Sequence, residues 1–291
     1  MWKLFQIELF KIFKRPRTYI SFVAITVLVL LIQLALYLDG LAYVEFLLKD
    51  LEASFEIEGN ILNGYLVCFI ILQLLLVHVP LLITLISGDL ISGEANMGTL
   101  RLLLTKPISR TEVAIAKFSA ASIYTLLLLV WMAILALLLS LLMFGSGDML
   151  NLKSDYIIQL QSDDIFWRYV AAFGFAALAM LTVTALGFLL SMFAENSIGP
   201  IVATMSIIIV CTILSTLDIP LFNSIKPYIF TTHMIGWKGF FDVKVTEDNE
   251  AILGSVQNLG KVLQAAIILV VHIIGFFVAS VIVFKKKDVL S

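Results

Sequence analysis

Six apolar runs, each long enough to cross a bilayer as a helix, constrain this chain more than any other feature. They fall at roughly 19–38, 65–87, 113–144, 169–193, 198–217 and 262–284. A helix needs about 20 apolar residues to traverse about 30 Å of hydrocarbon, and there every backbone polar group must be satisfied inside the protein. Composition agrees: 61% of the 291 residues are hydrophobic and only 14% charged, outside the range of soluble domains. The expected fold is an all-α polytopic membrane protein, a single transmembrane domain over 1–291 with six transmembrane helices. Cys68 and Cys211 both lie inside apolar runs and read as buried thiols, with neither metal-ligand spacing nor a loop disulfide on offer.

The segment 1–17 is basic and imperfectly amphipathic. Trp2, Phe5, Leu9, Ile12 and Phe13 share one face, with Lys3, Lys11, Lys14 and Arg15 elsewhere, which predicts an N-terminal helix lying in the membrane interface. The run that follows is too long for a signal-peptide core and has no small-residue cleavage site after it, so it reads as a span. The third run exceeds what a bilayer needs, which implies tilt or projection. Gly174, Gly187 and the alanines of 171–185 mark the fourth span as closely packed. A tight turn joins the fourth and fifth spans, with Asn196 or Ser197 as N-cap and Pro200 in the first turn.

Lysine and arginine set the orientation. The N-terminal segment, the 88–118 loop and the tail at Lys285–Lys287 hold twelve of them, against seven over the longer loops of the other side. Asp39, Glu45, Asp50, Glu52, Glu56 and Glu58 also make the first loop acidic. Both termini and the 88–118 loop are therefore expected in the cytoplasm, and 218–260 outside. The first half of that last loop is too apolar for solvent and too broken by Pro220, Pro227 and Gly236 for a full span. It predicts short re-entrant helices packed against protein. Its second half, 242–258, is polar.

Within the 88–118 loop, Ser92 to Thr105 reads as one short helix with Glu94 in the first turn and Met97, Leu100 and Leu104 on a common face. Lys106-Pro107 stops it. Ser109-Arg110-Thr111-Glu112 is a capping box that opens the third span. The whole reads as a rigid knob on a membrane surface.

A search for chemistry returns no catalytic constellation. The nearest thing to a phosphate loop, Gly254 to Val262, has five residues between its glycines and valine after Lys261, where a P-loop needs four and Ser or Thr. The chain is expected to be neither an enzyme nor an ATP binder, with no cofactor of its own and no nucleic-acid partner. The intramembrane polar residues are Gln33, Gln73, His78, Gln264 and His272. Their simplest role is hydrogen bonding between helices; Gln73, His78, Gln264 and His272 are also candidates to line a translocation path. Gln73 and His78 are about 140° apart round a helix, so they are not expected to share a face.

Gly93-Glu94, Gly98-Thr99-Leu100, Leu103-Leu104, Pro107-Ile108-Ser109-Arg110, Lys117 and the ending Phe284-Lys285-Lys286-Lys287-Asp288 resemble the cytoplasmic signature of the permease subunits of type-2 (ABC-2) ATP-binding cassette exporters. The resemblance implies a half-transporter whose 88–118 region is the coupling helix, docked on a separate ATPase subunit that binds ATP and magnesium. Met97, Leu100 and Leu104 would then fill the partner's groove, and Glu94, Arg101 and Arg110 would set register by charge. It also implies a second permease copy or paralogue and a bacterial or archaeal cell membrane. Apolar spans suit a hydrophobic or amphipathic cargo. The alternative is an ATP-independent secondary transporter or channel, which would place acids inside the membrane and need no groove-filling knob.

Overall fold

The computed structural model describes residues 1–48, 61–152, 157–217, 219–246 and 251–287. Among them, six helices are long and apolar enough to cross a membrane, so the protein is an all-α polytopic membrane protein as the apolar runs predict. Helix α1 (Trp2–Lys14) is followed by the first span α2 (Pro16–Leu48) and the second, α3 (Gly64–Ser87). Two short helices, α4 (Ser92–Asn96) and α5 (Thr99–Leu104), precede the third span α6 (Arg110–Phe144). The remaining spans are α7 (Ser162–Ser191), α8 (Ile198–Thr216) and α9 (Leu259–Lys286).

The second and fourth spans form the centre of the bundle, with 56% and 61% of their most apolar windows buried, against 17% for the fifth and sixth. Small residues allow the close approach of α7 to α3. A Cβ at Gly187 would collide with the Ser87 hydroxyl, and Ala172, Ala176, Ala179 and Ala185 are buried. Gly174, expected to serve the same purpose, has open space beside it. Gly64 is a second close approach, since a Cβ there would meet the backbone of Ser140 and Leu141 at 2.6–2.7 Å. Phe118, Phe188 and Phe277 knit α6, α7 and α9 together, with centroids 4.8–6.5 Å apart.

Several boundaries differ from the sequence reading. The apolar span of α2 ends at Gly40, while the helix kinks at Asp39 (φ −127°, ψ 16°) and runs on to Leu48. The acids Asp50, Glu52, Glu56 and Glu58 lie outside the described residues. Helix α6 contains a π-helical stretch, Ile134–Leu139. Gln33 of α2, wholly buried, donates there to the Leu135 carbonyl (3.0 Å) and Ser140 Oγ (2.9 Å), answering a backbone group that the wider turn leaves exposed. Helix α7 begins at Ser162 rather than 169 because Asp163 and Asp164 favour a helix N-terminus. Between α6 and α7 lies a two-stranded antiparallel hairpin, β1 (Met149–Leu152) and β2 (Ile157–Leu160), in register Met149↔Leu160, which the sequence did not predict.

Hairpin and kink mark one end of the bundle. Asn63 caps α3 by accepting from Tyr65 and Leu66 N–H (3.1 Å each) and donates to the Asp148 carbonyl at 2.6 Å. Wholly buried Arg168 donates to the Phe240 carbonyl (2.6 Å) and pairs with Asp164 through Nη2. Asp164 Oδ1 in turn accepts from Trp167 Nε1 (2.7 Å) and Gly254 N–H (3.0 Å). This pins the interrupted segment between α8 and α9, which folds as short pieces: Pro220–Asn223, Lys226–Tyr228, Phe230–Met234 and Ile235–Phe241. It packs inward, since a Cβ at Gly236 would meet the Phe175 ring, near the middle of α7, and Ala265 of α9. Its polar half forms a bridge between Val245 and Ala251; 247–250 lie outside the described residues.

Candidate functional site

At the opposite end, helix α1 docks on the start of α6 through a buried stripe, Leu4, Glu8 and Ile12, at i, i+4, i+8. The expected apolar face is thus rotated: Phe5, Leu9 and Phe13 are only half-buried, while Trp2 (68% exposed) and Phe10 (64%) point away. An acid in the middle of a buried stripe needs compensation. Glu8 Oε2 accepts from Lys117 Nζ at 2.8 Å and Oε1 from Lys11 Nζ at 2.8 Å. The same two lysines reach Glu94 Oε1, at 2.8 Å from Lys117 and 2.9 Å from Lys11. Two carboxylates and two ammoniums thereby join α1, α4 and α6. Lys117 is itself buried, among the buried alanines Ala114, Ala116, Ala120 and Ala121 of α6.

A second anchor lies one turn away. Asp89, buried just after α3, pairs with Arg15 and with Arg17 (2.8 Å) of the α1–α2 junction and accepts from the Ser197 hydroxyl of the α7–α8 turn. Ser197 holds the N-cap position of α8 but its hydroxyl does not cap the helix; Asn196 supplies the side-chain cap, accepting from Gly199 N–H at 3.0 Å. Gly93 is required beside this anchor, because a Cβ would run into the Asp89 carboxylate. Glu8, Lys11, Arg15, Asp89, Glu94 and Lys117 face a common crevice. Burial alone would lower the Lys11 ammonium, but Glu8 and Glu94 outweigh it and hold it above its ordinary value.

Above these anchors the loop projects. The single helix expected over Ser92–Thr105 is broken at Gly98, whose φ of 70° is in the left-handed region that glycine adopts without a Cβ penalty. The break resets the helical phase, so Leu100 is fully buried rather than presented, and Leu102 takes its place at 68% exposed. Met97 is exposed at 54%, Arg101 is also exposed, and Leu104 is half-buried against the core. Thr105, Lys106 and Pro107 complete the exposed tip.

Glu94 and Arg110, both expected to meet a partner, make the following contacts within the chain. Glu94 is locked between the lysines. Arg110 donates to the Phe284 (2.8 Å), Lys285 (3.3 Å) and Lys287 carbonyls at the end of α9, a cation at a helix C-terminus. Lys287 Nζ continues the link to Met192 O at 2.8 Å and Ala194 O at 3.3 Å. The capping box opens α6 as the sequence predicts, with Ser109 N–H on Glu112 Oε2 at 3.0 Å and Glu112 N–H on Ser109 Oγ at 3.2 Å.

The four candidate path residues do not converge. Gln73 and His78 are both exposed on α3, at the two edges of one broad exposed face rather than on separate faces. His78 turns Nδ1 to its own helix at Leu74 O (2.8 Å), and Gln73 Oε1 accepts from Lys238 at 3.3 Å. Gln264 is exposed on α9. His272 bonds Ile268 O at 2.8 Å and packs on Phe230 and Phe276. Sequence reasoning missed Glu8 and Asp89 altogether. The signal for Glu8 was present, an acid between Leu4 and Ile12 at helical spacing.

A family model described as ABC-2 family transporter protein matches residues 2–289. A curated relative, the uncharacterized protein YhcI of Bacillus subtilis (strain 168), is 27% identical over 119 residues, which is 39% of this chain and 37% of that protein. The chain thus spans little more than a third of the relative it matches.

Proposed function

Because the chain belongs to the ABC-2 family of transporter proteins, we propose that it is a permease subunit that forms the path for export driven by ATP hydrolysis in a separate partner chain. The observation that carries this reading is the exposed tip at Met97, Arg101 and Leu102, held on a buried ionic base. Two large apolar side chains on a polar, protruding turn are costly in water, and a partner's groove removes that cost. Their base ties the tip to α1 and α6 at once, so force applied at the tip moves a span rather than a loop. ATP and magnesium belong to the partner, whose closure supplies the differential binding energy between two arrangements of the permeases. The segregation of lysine and arginine supports a cytoplasmic knob in a bacterial or archaeal membrane, and a second permease copy or paralogue would complete the path.

The test is co-expression with the ATP-hydrolysing chain that co-purifies with it. Leu102→Asp should abolish co-purification and ATP-dependent transport in vesicles while leaving the thermal stability of the purified permease unchanged. Uptake or efflux that persists without ATP and collapses with an uncoupler would sink the proposal.

A further inference from the structure

Beside the exposed face of α3 lies a cation that no acid among the described residues pairs. Lys238 projects from the packed piece Ile235–Phe241, half-buried, with its ammonium 5.8 Å from the Trp237 ring and 3.3 Å from Gln73 Oε1. No ion pair joins it to an acid among the described residues. Gln73 is nine residues into the 24-residue α3, about 14 Å from its start at 1.5 Å per residue. On the reading of α3 as a span, the ammonium is held well inside the hydrocarbon boundary, where an unpaired charge is expensive and generally functional. A lysine that only needed water could leave its ammonium in solvent; this one donates to a side-chain carbonyl.

Below the ammonium, the face continues as an apolar stripe. Leu74 (45% exposed), Val77 (68%) and Leu81 (46%) follow Gln73 towards the knob end, about 12 Å of helix, with His78 at one edge. A cation heading an apolar track matches a molecule with a negative head and a hydrocarbon tail. The cation would neutralise the head, and the stripe would cover the tail.

We propose that Lys238 and Gln73 form the headgroup site for an anionic amphiphile whose tail lies along Leu74, Val77 and Leu81. The assignment rests on the permease reading for its meaning as cargo recognition, and it names that cargo's class. A phosphate or carboxylate head accepts from the Lys238 ammonium and from the Gln73 amide nitrogen, so Gln73 trades its contact with Lys238 for a shared ligand.

The experiment uses the whole chain in dodecyl maltoside and reads thermal stabilisation, since a ligand bound to the folded state raises its melting temperature. The probes are dodecyl phosphate and dodecyl phosphocholine, which share a chain and differ in net charge, with inorganic phosphate as the third arm. Wild-type protein should respond to dodecyl phosphate at about tenfold lower concentration than to dodecyl phosphocholine, and Lys238→Arg should retain the preference. Lys238→Gln should abolish it. Gln73→Glu, which installs an acid beside the ammonium without changing size, should abolish it too and serves if Lys238→Gln fails to fold. Equal responses to the two amphiphiles, a preference unaffected by both variants, or full competition by inorganic phosphate would each overturn the proposal.

Failure of this site and failure of the permease reading give different results. ATP-driven transport of a neutral cargo, with no Lys238-dependent preference, overturns the site alone. A Lys238-dependent preference in a protein that supports no ATP-driven transport upholds the site and overturns the permease reading.

Discussion

Replacing Lys117 with methionine isolates what the buried ionic base contributes. The substitution keeps the length and most of the volume of the side chain and removes one charge. Lys117 is 1% exposed, and the carboxylates it bridges, Glu8 and Glu94, are 2% and 5% exposed. Lys11, at 36% exposed, would then be left alone to neutralise both. Breaking a buried pair by removing one partner costs about 3–5 kcal/mol, because the other charge remains desolvated. Lys117→Met should therefore lose about that much stability in equilibrium unfolding in detergent, followed by near-ultraviolet circular dichroism. Adding Glu8→Gln restores neutrality and should recover at least ~1 kcal/mol, a coupling of the size found for residues in one network. A single variant within about 1 kcal/mol of wild type, or a double variant no better than the single, would refute the claim that these groups act as one buried unit.

Other perturbations read out neighbouring parts. The ammonium of Lys11 is held above its ordinary 10.5, so its contribution is complete below that value and is lost as pH rises through the raised one. The stability difference between wild type and Lys11→Gln should accordingly stay constant from neutral pH up to about 10 and vanish above the raised value. Gly93→Ala should displace the locked Asp89 carboxylate and cost about 1–3 kcal/mol, seen as a lower melting temperature that Gly174→Ala, beside open space, does not share. Arg168→Lys cannot reach both Asp164 and the Phe240 carbonyl, so hydrogen exchange should quicken in 237–246 and 251–254 with α2 and α3 unaffected.

The spans were legible because a run of 20 or more apolar residues has few alternatives to a buried helix. Gly187 was legible for a related reason, since a glycine among alanines inside a span has little use except close packing. The knob was legible in outline but not in detail. Counting Met97, Leu100 and Leu104 on one face assumed an unbroken helix, and the left-handed Gly98 shifted the phase so that Leu102, not Leu100, is presented. Glu94 was singled out as an acid in a first helical turn, yet its partners lie 83 residues upstream and 23 downstream, and pairing over such distances leaves no local pattern. Lys117 stood out only through the family resemblance. The hairpin could not be read because two four-residue strands carry too little alternation to stand above the apolar background. The π-helical stretch lies inside an unbroken apolar run and leaves no pattern of its own there.

The most direct test of the central claim is cross-linking from the tip of the knob. Cys68 is buried and Cys211 half-buried, so both would be replaced by serine or alanine before single cysteines are introduced at Met97, Leu100, Leu102 and Lys106. In membranes containing the co-expressed ATP-hydrolysing partner, a short bifunctional reagent that joins cysteine to lysine should link Met97→Cys, Leu102→Cys and Lys106→Cys to that chain. Leu100→Cys should stay unlinked, and ATP should change the yield. Linking at Leu100→Cys but not at Leu102→Cys, or no link at any of the four positions in membranes that transport with ATP, would contradict the account.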